Sequence, residues 1–336
     1  MNKFKKIAIA LSLVASIGLT TQVSAAEKAK DEGWDIPNMA LGNGLTEAEK
    51  QETRDILTKD LSKVSVLKGT NTANINEFIV DGNDLVKYVT DVPEFTSSSK
   101  AYSSALIART KSGSGVTVDI LTPDKITART EAMYRSAAIT SGVYDAYIRI
   151  ASVKTMDGSG ALAGIYKIYD EVDPASDTSE QQDRDEKREV AQDQMQVVSA
   201  IDQENQDNKD YSSENILVML ADIQMELQKI NSKLSEMSDE QKKQEVTNVV
   251  DEQIKKNGME DAITPELKTE VVNNMVNFTN TSAINDKELT SQLSGFKDDI
   301  VKNGKEFKDS LLSDENVAKA KGFWQKVKDF FSNLFK

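Results

Sequence analysis

The sequence contains no cysteine and no histidine. Those two absences exclude disulfides, Ser-His-Asp and Cys-His catalysis, His- or Cys-ligated zinc, iron–sulfur clusters and c-type haem. Positive charge is also in deficit. Lys and Arg number 41 against 55 Asp and Glu, a formal net charge of −14 over 336 residues. A general nucleic-acid binder needs clustered Lys and Arg, so this balance argues against one. Long hydrophobic runs are missing as well. The clearest, Ile7 to Leu19, is broken by Ser12, Ser16 and Gly18 and falls short of the roughly 20 residues that span a bilayer.

That short run is a targeting signal. Lys3, Lys5 and Lys6 supply a positive start, and Val23-Ser24-Ala25 places small residues at −3 and −1 of a signal peptidase site. Cleavage after Ala25 removes those lysines and leaves the exported chain more acidic still. No cysteine follows the cleavage point to carry a lipid, and no LPxTG-like motif precedes the C-terminus. The short signal with its small-residue end looks bacterial. The expected location is secreted, or peripheral on the outer face of the cytoplasmic membrane.

After a leader over residues 26–37, residues 38–172 read as an α+β domain with a small sheet. Thr46 and Glu49 have the spacing of a helix N-cap and its reciprocal partner. Ser104 to Thr110 and Gly115 to Leu121 are strand-like and are joined by Ser112-Gly113-Ser114, which predicts a hairpin. Thr122-Pro123 predicts a helix from Asp124 to about Ser141, ended by Gly142. Val143 to Val153 predicts a strand, and Ala161 to Tyr169 a short helix.

Residues 173–212 are strongly acidic and poor in apolar residues before Val190, so a solvated acidic linker is expected. A calcium loop fails there, because Asp202 to Asp207 lacks the turn glycine and the ligand register of an EF-hand. Residues 213–312 read as a helical domain. Ile216, Leu220, Ile223, Leu227, Ile230, Leu234 and Met237 recur at spacings of four and three, an a/d seam. Leu289, Leu293, Phe296 and Ile300 repeat it, less cleanly continued by Phe307 and Leu311. Thr264-Pro265-Glu266 marks another helix start. The two seams most simply pack on each other in a bundle; self-association through the 216–237 seam is the alternative.

Residues 313–336 form an amphipathic basic-aromatic helix in this reading. With 100° per residue, Phe323, Trp324, Val327, Phe330, Phe331, Leu334 and Phe335 fall within an arc of about 140°. Lys319, Lys321, Lys326 and Lys328 flank that arc, two on each side. Rings at the centre and lysines at the edge suit a helix lying in an anionic membrane surface, with lysine stems reaching to headgroups. Half-burial of each large apolar side chain supplies roughly 1 kcal/mol, and each lysine near such a leaflet about 1 kcal/mol. Gly322 opposes helix formation by about 1 kcal/mol. The same stripe could instead dock on the bundle or on a protein partner.

Catalytic patterns are weaker. Gly158-Ser159-Gly160-Ala161-Leu162-Ala163-Gly164 mimics a dinucleotide loop, but its spacing is GxGxxxG and no repeated βαβ pattern accompanies it. Tight helix–strand packing explains these glycines better. Paired carboxylates could run a glycosidase-type reaction, yet no pair stands out, and no Ser-x-x-Lys lies in a persuasive turn. The sequence therefore assigns no catalytic residue, cofactor or metal.

Ala40-Leu41-Gly42 with Leu45-Thr46-Glu47, then Gly113 to Val118, then Thr130 to Tyr134 with Ala137, Thr140 and Gly142, then Ala161 to Lys167 together resemble the bacterial family catalogued as domain of unknown function 1002. The resemblance covers about residues 38–172, with the helical region following loosely. It implies an exported protein of low-GC Gram-positive bacteria and brings no activity or catalytic set. The tail lies outside it. The resulting expectation is an exported, envelope-associated, non-catalytic binding or regulatory protein. A carboxylate-dependent wall hydrolase and a helical protein–protein interaction module are the alternatives.

Overall fold

A computed structural model of the chain describes residues 33–208 and 211–311, with backbone alone over 303–311. The expected signal peptide, most of the leader and the basic-aromatic segment 313–336 lie outside the described residues.

The first strand among the described residues is β1 (Asn38–Gly42). Next comes α1 (Glu47–Thr58), opened by the anticipated capping box: the Thr46 hydroxyl accepts from Glu49 N and the Glu49 side chain accepts from Thr46 N. β2 (Asn76–Val80) and α2 (Gly82–Tyr88) follow, the latter with an Asp81–Asp84 capping box. Then come β3 (Ser104–Arg109), β4 (Thr117–Ile120), α3 (Glu131–Thr140) and β5 (Ala146–Ala151). These strands form one sheet in the order β2-β1-β3-β5-β4. Pairing is parallel at both edges and antiparallel between β1, β3 and β5.

The expected hairpin between β3 and β4 does not form. β5 inserts between them, pairing antiparallel with β3 and parallel with β4. All six of its residues are buried, so it gains from a neighbour on each side in a way that an edge strand cannot. The Ser112-Gly113-Ser114 turn is held from β5's side instead: Asp145, at φ 50°, accepts from Gly113 N at 3.0 Å and Gly115 N at 2.7 Å.

The helix expected from Asp124 begins later, at Glu131, with Thr130 as N-cap. Residues upstream are spent on a bridge to the 152–158 loop, where Thr127 N donates to Met156 O and Met156 N to Lys125 O. The helix does stop where predicted. Gly142, at φ 92°, donates to Ile139 O, and Val143 N donates to Ala138 O, the paired bonds of a Schellman end.

Period-two alternation divides the sheet residues between two cores. Met39, Leu41, Leu106, Ala108, Tyr147 and Ala151 face a small cluster closed by Leu57 of α1 and by Leu61 and Leu67. Ala40, Ala105, Ile107, Ile148 and Ile150 face the main core. That face is covered by α3 and by α4 (Ser159–Val172).

The acidic span is not a solvated linker. Thr178–Glu204 is a single 27-residue helix, α5, capped by Asp177 and packed against α3 and α9. Its acids are half-buried or exposed, while Val190, Ala191, Met195, Val197, Val198, Ala200 and Ile201 are buried. Averaging charge over both faces conceals that stripe. Arg184 and Arg188 are buried too, because carboxylates meet them: Glu180 and Asp173 for the first, Asp170 and Asp185 for the second.

The remaining helices are α6 (Ser213–Lys229), α7 (Asn231–Leu234), α8 (Asp239–Lys256), α9 (Pro265–Thr279) and α10 (Lys287–Leu311). Thr264 caps α9 with proline in its first turn, as read from the sequence. Ile216, Leu220, Ile223 and Leu227 of α6 and Leu289, Leu293, Phe296 and Ile300 of α10 are buried, and the two helices pack on each other. α3 and α8 also lie against α6, so that seam is filled from within the chain. Trp34, placed in the leader by sequence, is 8 % exposed and belongs to the main core. This core runs without interruption from the sheet through α5 into the helices, which makes one packed body of the two expected domains.

Candidate functional site

A cleft of about 310 Å³ opens where the first half of α5 crosses the ends of β3, β5 and α4. Glu180, Asp183, Arg184 and Lys187 line one wall; their spacings of three and four place them on one face of α5. Tyr169 projects from α4 and Asp173 caps its end. Arg109 stands at the end of β3. The Schellman turn after α3 brings Gly142, Val143 and Tyr144, and Trp34 closes the far side.

A Cβ at Gly142 would make only ordinary contacts, 3.6 Å to the Tyr169 hydroxyl and 3.9 Å to Lys187 Cδ, so it is the positive φ of the turn that favours glycine there. Arg184 holds the α4 and α5 sides together. Its Nη2 lies 2.8 Å from Glu180 Oε1 and 3.2 Å from Asp173 Oδ2, and its Nη1 donates to the Asp173 carbonyl. The guanidinium also covers the Tyr169 ring at 5.1 Å. Lys187 Nζ lies 3.0 Å from Asp183 and 3.9 Å from Asp286. Asp286 in turn accepts the Tyr144 hydroxyl at 2.8 Å and caps α10 through its other oxygen. The cleft is thereby tied to the bundle as well as to the sheet.

Burial pushes the Tyr169 phenol up to about 12, with the Arg184 charge opposing it. Tyr144 is raised by burial and by the Asp286 charge. Both phenols are neutral hydrogen-bonding groups in neutral solution. For Arg184, burial works against the charge, and Tyr169, Glu180 and Asp173 more than restore it. The cleft carboxylates are engaged with cations, Asp173 and Glu180 with Arg184 and Asp183 with Lys187.

Among the described residues no group of three or more Asp or Glu could hold a metal ion. The glycine-rich start of α4 serves packing. A Cβ at Gly160 would meet Ser103 O at 2.8 Å, one at Gly164 would meet Ala40 Cβ at 3.0 Å, and Ser103 Oγ already takes Ala161 N. The predicted membrane-contact residues, Lys319 to Phe335, lie outside the described residues. Sequence reasoning missed the cleft itself. Its one local sign was the spacing of Glu180 and Asp183 four residues before Arg184 and Lys187, inside an otherwise acidic run.

A mixed five-stranded sheet, helices on both its faces and a continuous helical bundle define an α+β protein with a cleft at their junction. The chain belongs to the family described as protein of unknown function (DUF1002), whose profile matches residues 41–296. It is similar to "Uncharacterized protein YpuA" of Bacillus subtilis (strain 168), 26 % identical over 297 residues, covering 88 % of this chain and 86 % of that protein. No solved structure gives a significant match. Among the described residues no helix is long and apolar enough to cross a membrane.

Proposed function

We propose that the chain is an exported, non-catalytic binding or regulatory protein of the bacterial cell envelope, held on the anionic outer surface of the cytoplasmic membrane by residues 313–336. The observation that carries this reading is the composition of that segment. Phe323, Trp324, Phe330, Phe331 and Phe335 share an arc flanked by Lys319, Lys321, Lys326 and Lys328 at the end of an otherwise acidic protein. The packing of the body supports it. α10, α8 and α3 already cover the α6 seam, the apolar face on which a terminal helix would otherwise dock. The basic start of the chain and the Val23-Ser24-Ala25 sequence support export.

Vesicle sedimentation tests the proposal. The chain without residues 1–25 pellets with anionic vesicles and less with neutral ones, and salt weakens the association by screening the lysines. The same chain carrying Trp324→Asp and Phe331→Asp, or ended at Leu312, stays in the supernatant. Equal pelleting of all three would remove the tail from the account.

A further inference from the structure

We propose that the cleft between α5, Tyr169 and the α3–β5 turn binds a small zwitterion: an amino acid or short peptide with a free amino group and a free carboxylate. The inference stands on the cleft alone and is independent of the membrane reading.

Size sets the class first. At about 310 Å³ the space sits at the small end of ligand sites, which begin near 300 Å³. Charge narrows it. Each cation of the α5 wall has its acid on the same wall, Arg184 with Glu180 at 2.8 Å and Lys187 with Asp183 at 3.0 Å. An incoming group of one sign would capture one member of a pair and strand the other in a partly enclosed place, where an unmatched charge is costly. A ligand carrying both signs replaces what it displaces. Its carboxylate turns to Lys187 or Arg184, and its ammonium to the acid thus released. Lys187 is the looser of the two cations. Its second acid, Asp286, lies at 3.9 Å, beyond direct hydrogen-bond length, so Lys187 can turn at little cost.

Calorimetric titration of the chain without residues 1–25 tests this with alanylalanine, in its L,L and D,D forms, as the probe. Three further probes are N-acetyl-alanylalanine, alanylalanine amide and a mixture of acetate with ethylamine. The free dipeptide of at least one configuration binds, and blocking either end weakens it about tenfold or more. Lys187→Met and Asp183→Asn each lose about tenfold while the unfolding midpoint stays near that of the parent chain. Lys63→Met, on a distant surface pair with Asp60, leaves binding unchanged. The proposal is overturned if no free dipeptide gives heat at millimolar concentration. It is equally overturned if blocked and free forms bind alike, or if the acetate–ethylamine mixture matches the dipeptide. Should either cleft variant fail to fold, the blocked ligands decide the question on the parent chain.

Discussion

Arg129 and Asp91 form an ion pair, Nη2 to Oδ1 at 2.8 Å, with each side chain 1 % exposed. The other Asp91 oxygen accepts from Ser199 Oγ at 2.9 Å, and Arg129 Nη2 also reaches Ser159 Oγ at 3.3 Å. One buried cluster thus joins the loop after α2, the loop before α3, the start of α4 and the C-terminal part of α5. Burial disfavours the Arg129 charge, and Asp91 more than compensates. Arg129 Nε and Nη1 are buried and have no hydrogen-bond partner among the described residues.

Removing one member is therefore expected to be far worse than removing both. Asp91→Ala strands a guanidinium and lowers the free energy of unfolding by about 3–5 kcal/mol. Asp91→Leu combined with Arg129→Met recovers most of that loss, because neither charge is then buried. Denaturant titration of the three chains reads the difference. A double variant as unstable as the single one contradicts this account.

Asp202 makes stability depend on pH. Burial pushes its carboxyl up to about 7, helped by the Glu214 charge, while hydrogen bonds from Tyr211 and Ser213 pull it down. The folded-state value lies above the ordinary 3.8, so the native chain holds this proton more tightly than the unfolded one. That contribution is complete below about pH 4 and is lost as pH rises through about 7. Asp202→Asn removes the slope. Relative to the parent, the variant gains roughly 4 kcal/mol between about pH 4 and pH 7.5. Parallel stability curves for the two chains would refute the assignment.

Two glycines in helices should respond in opposite directions to alanine. Alanine is the better helix former by about 1 kcal/mol. At Gly295 in α10 a Cβ meets nothing within 4 Å, so Gly295→Ala raises stability by about that amount. At Gly160 in α4 the Cβ would approach the Ser103 carbonyl to 2.8 Å and Ala101 Cβ to 3.1 Å. Gly160→Ala forces α4 off the sheet and costs about 1–3 kcal/mol net. Thermal or denaturant unfolding of both variants checks the pair, and a stabilising Gly160→Ala would show that the contact is loose.

Features legible in the chain were those whose partners lie within one turn. Thr46 with Glu49, Thr264 with Pro265 and Gly142 after α3 act over three or four residues, and each does what its spacing implies. The seams of α6 and α10 were legible because their period matches the helix. Misreadings arose where a distant residue decides the outcome. Ser112 to Ser114 look like a hairpin turn until β5 arrives between the strands. Asp124 to Arg129 look helical until Met156 takes their backbone bonds and Asp91 takes Arg129.

The sequence by itself determined the α+β class, several helix caps, the alternation of the strands and the chemistry closed to a chain without histidine or cysteine. These follow from local conformational preference and side-chain inventory. Only tertiary structure decided that the acidic span is a packed helix, that sheet and bundle share one core, and that Trp34, Tyr169 and Lys187 meet around a cleft. Burial and ion pairing depend on groups far apart in the chain, and a charge that looks solvated along the sequence is enclosed once its counterion folds beside it.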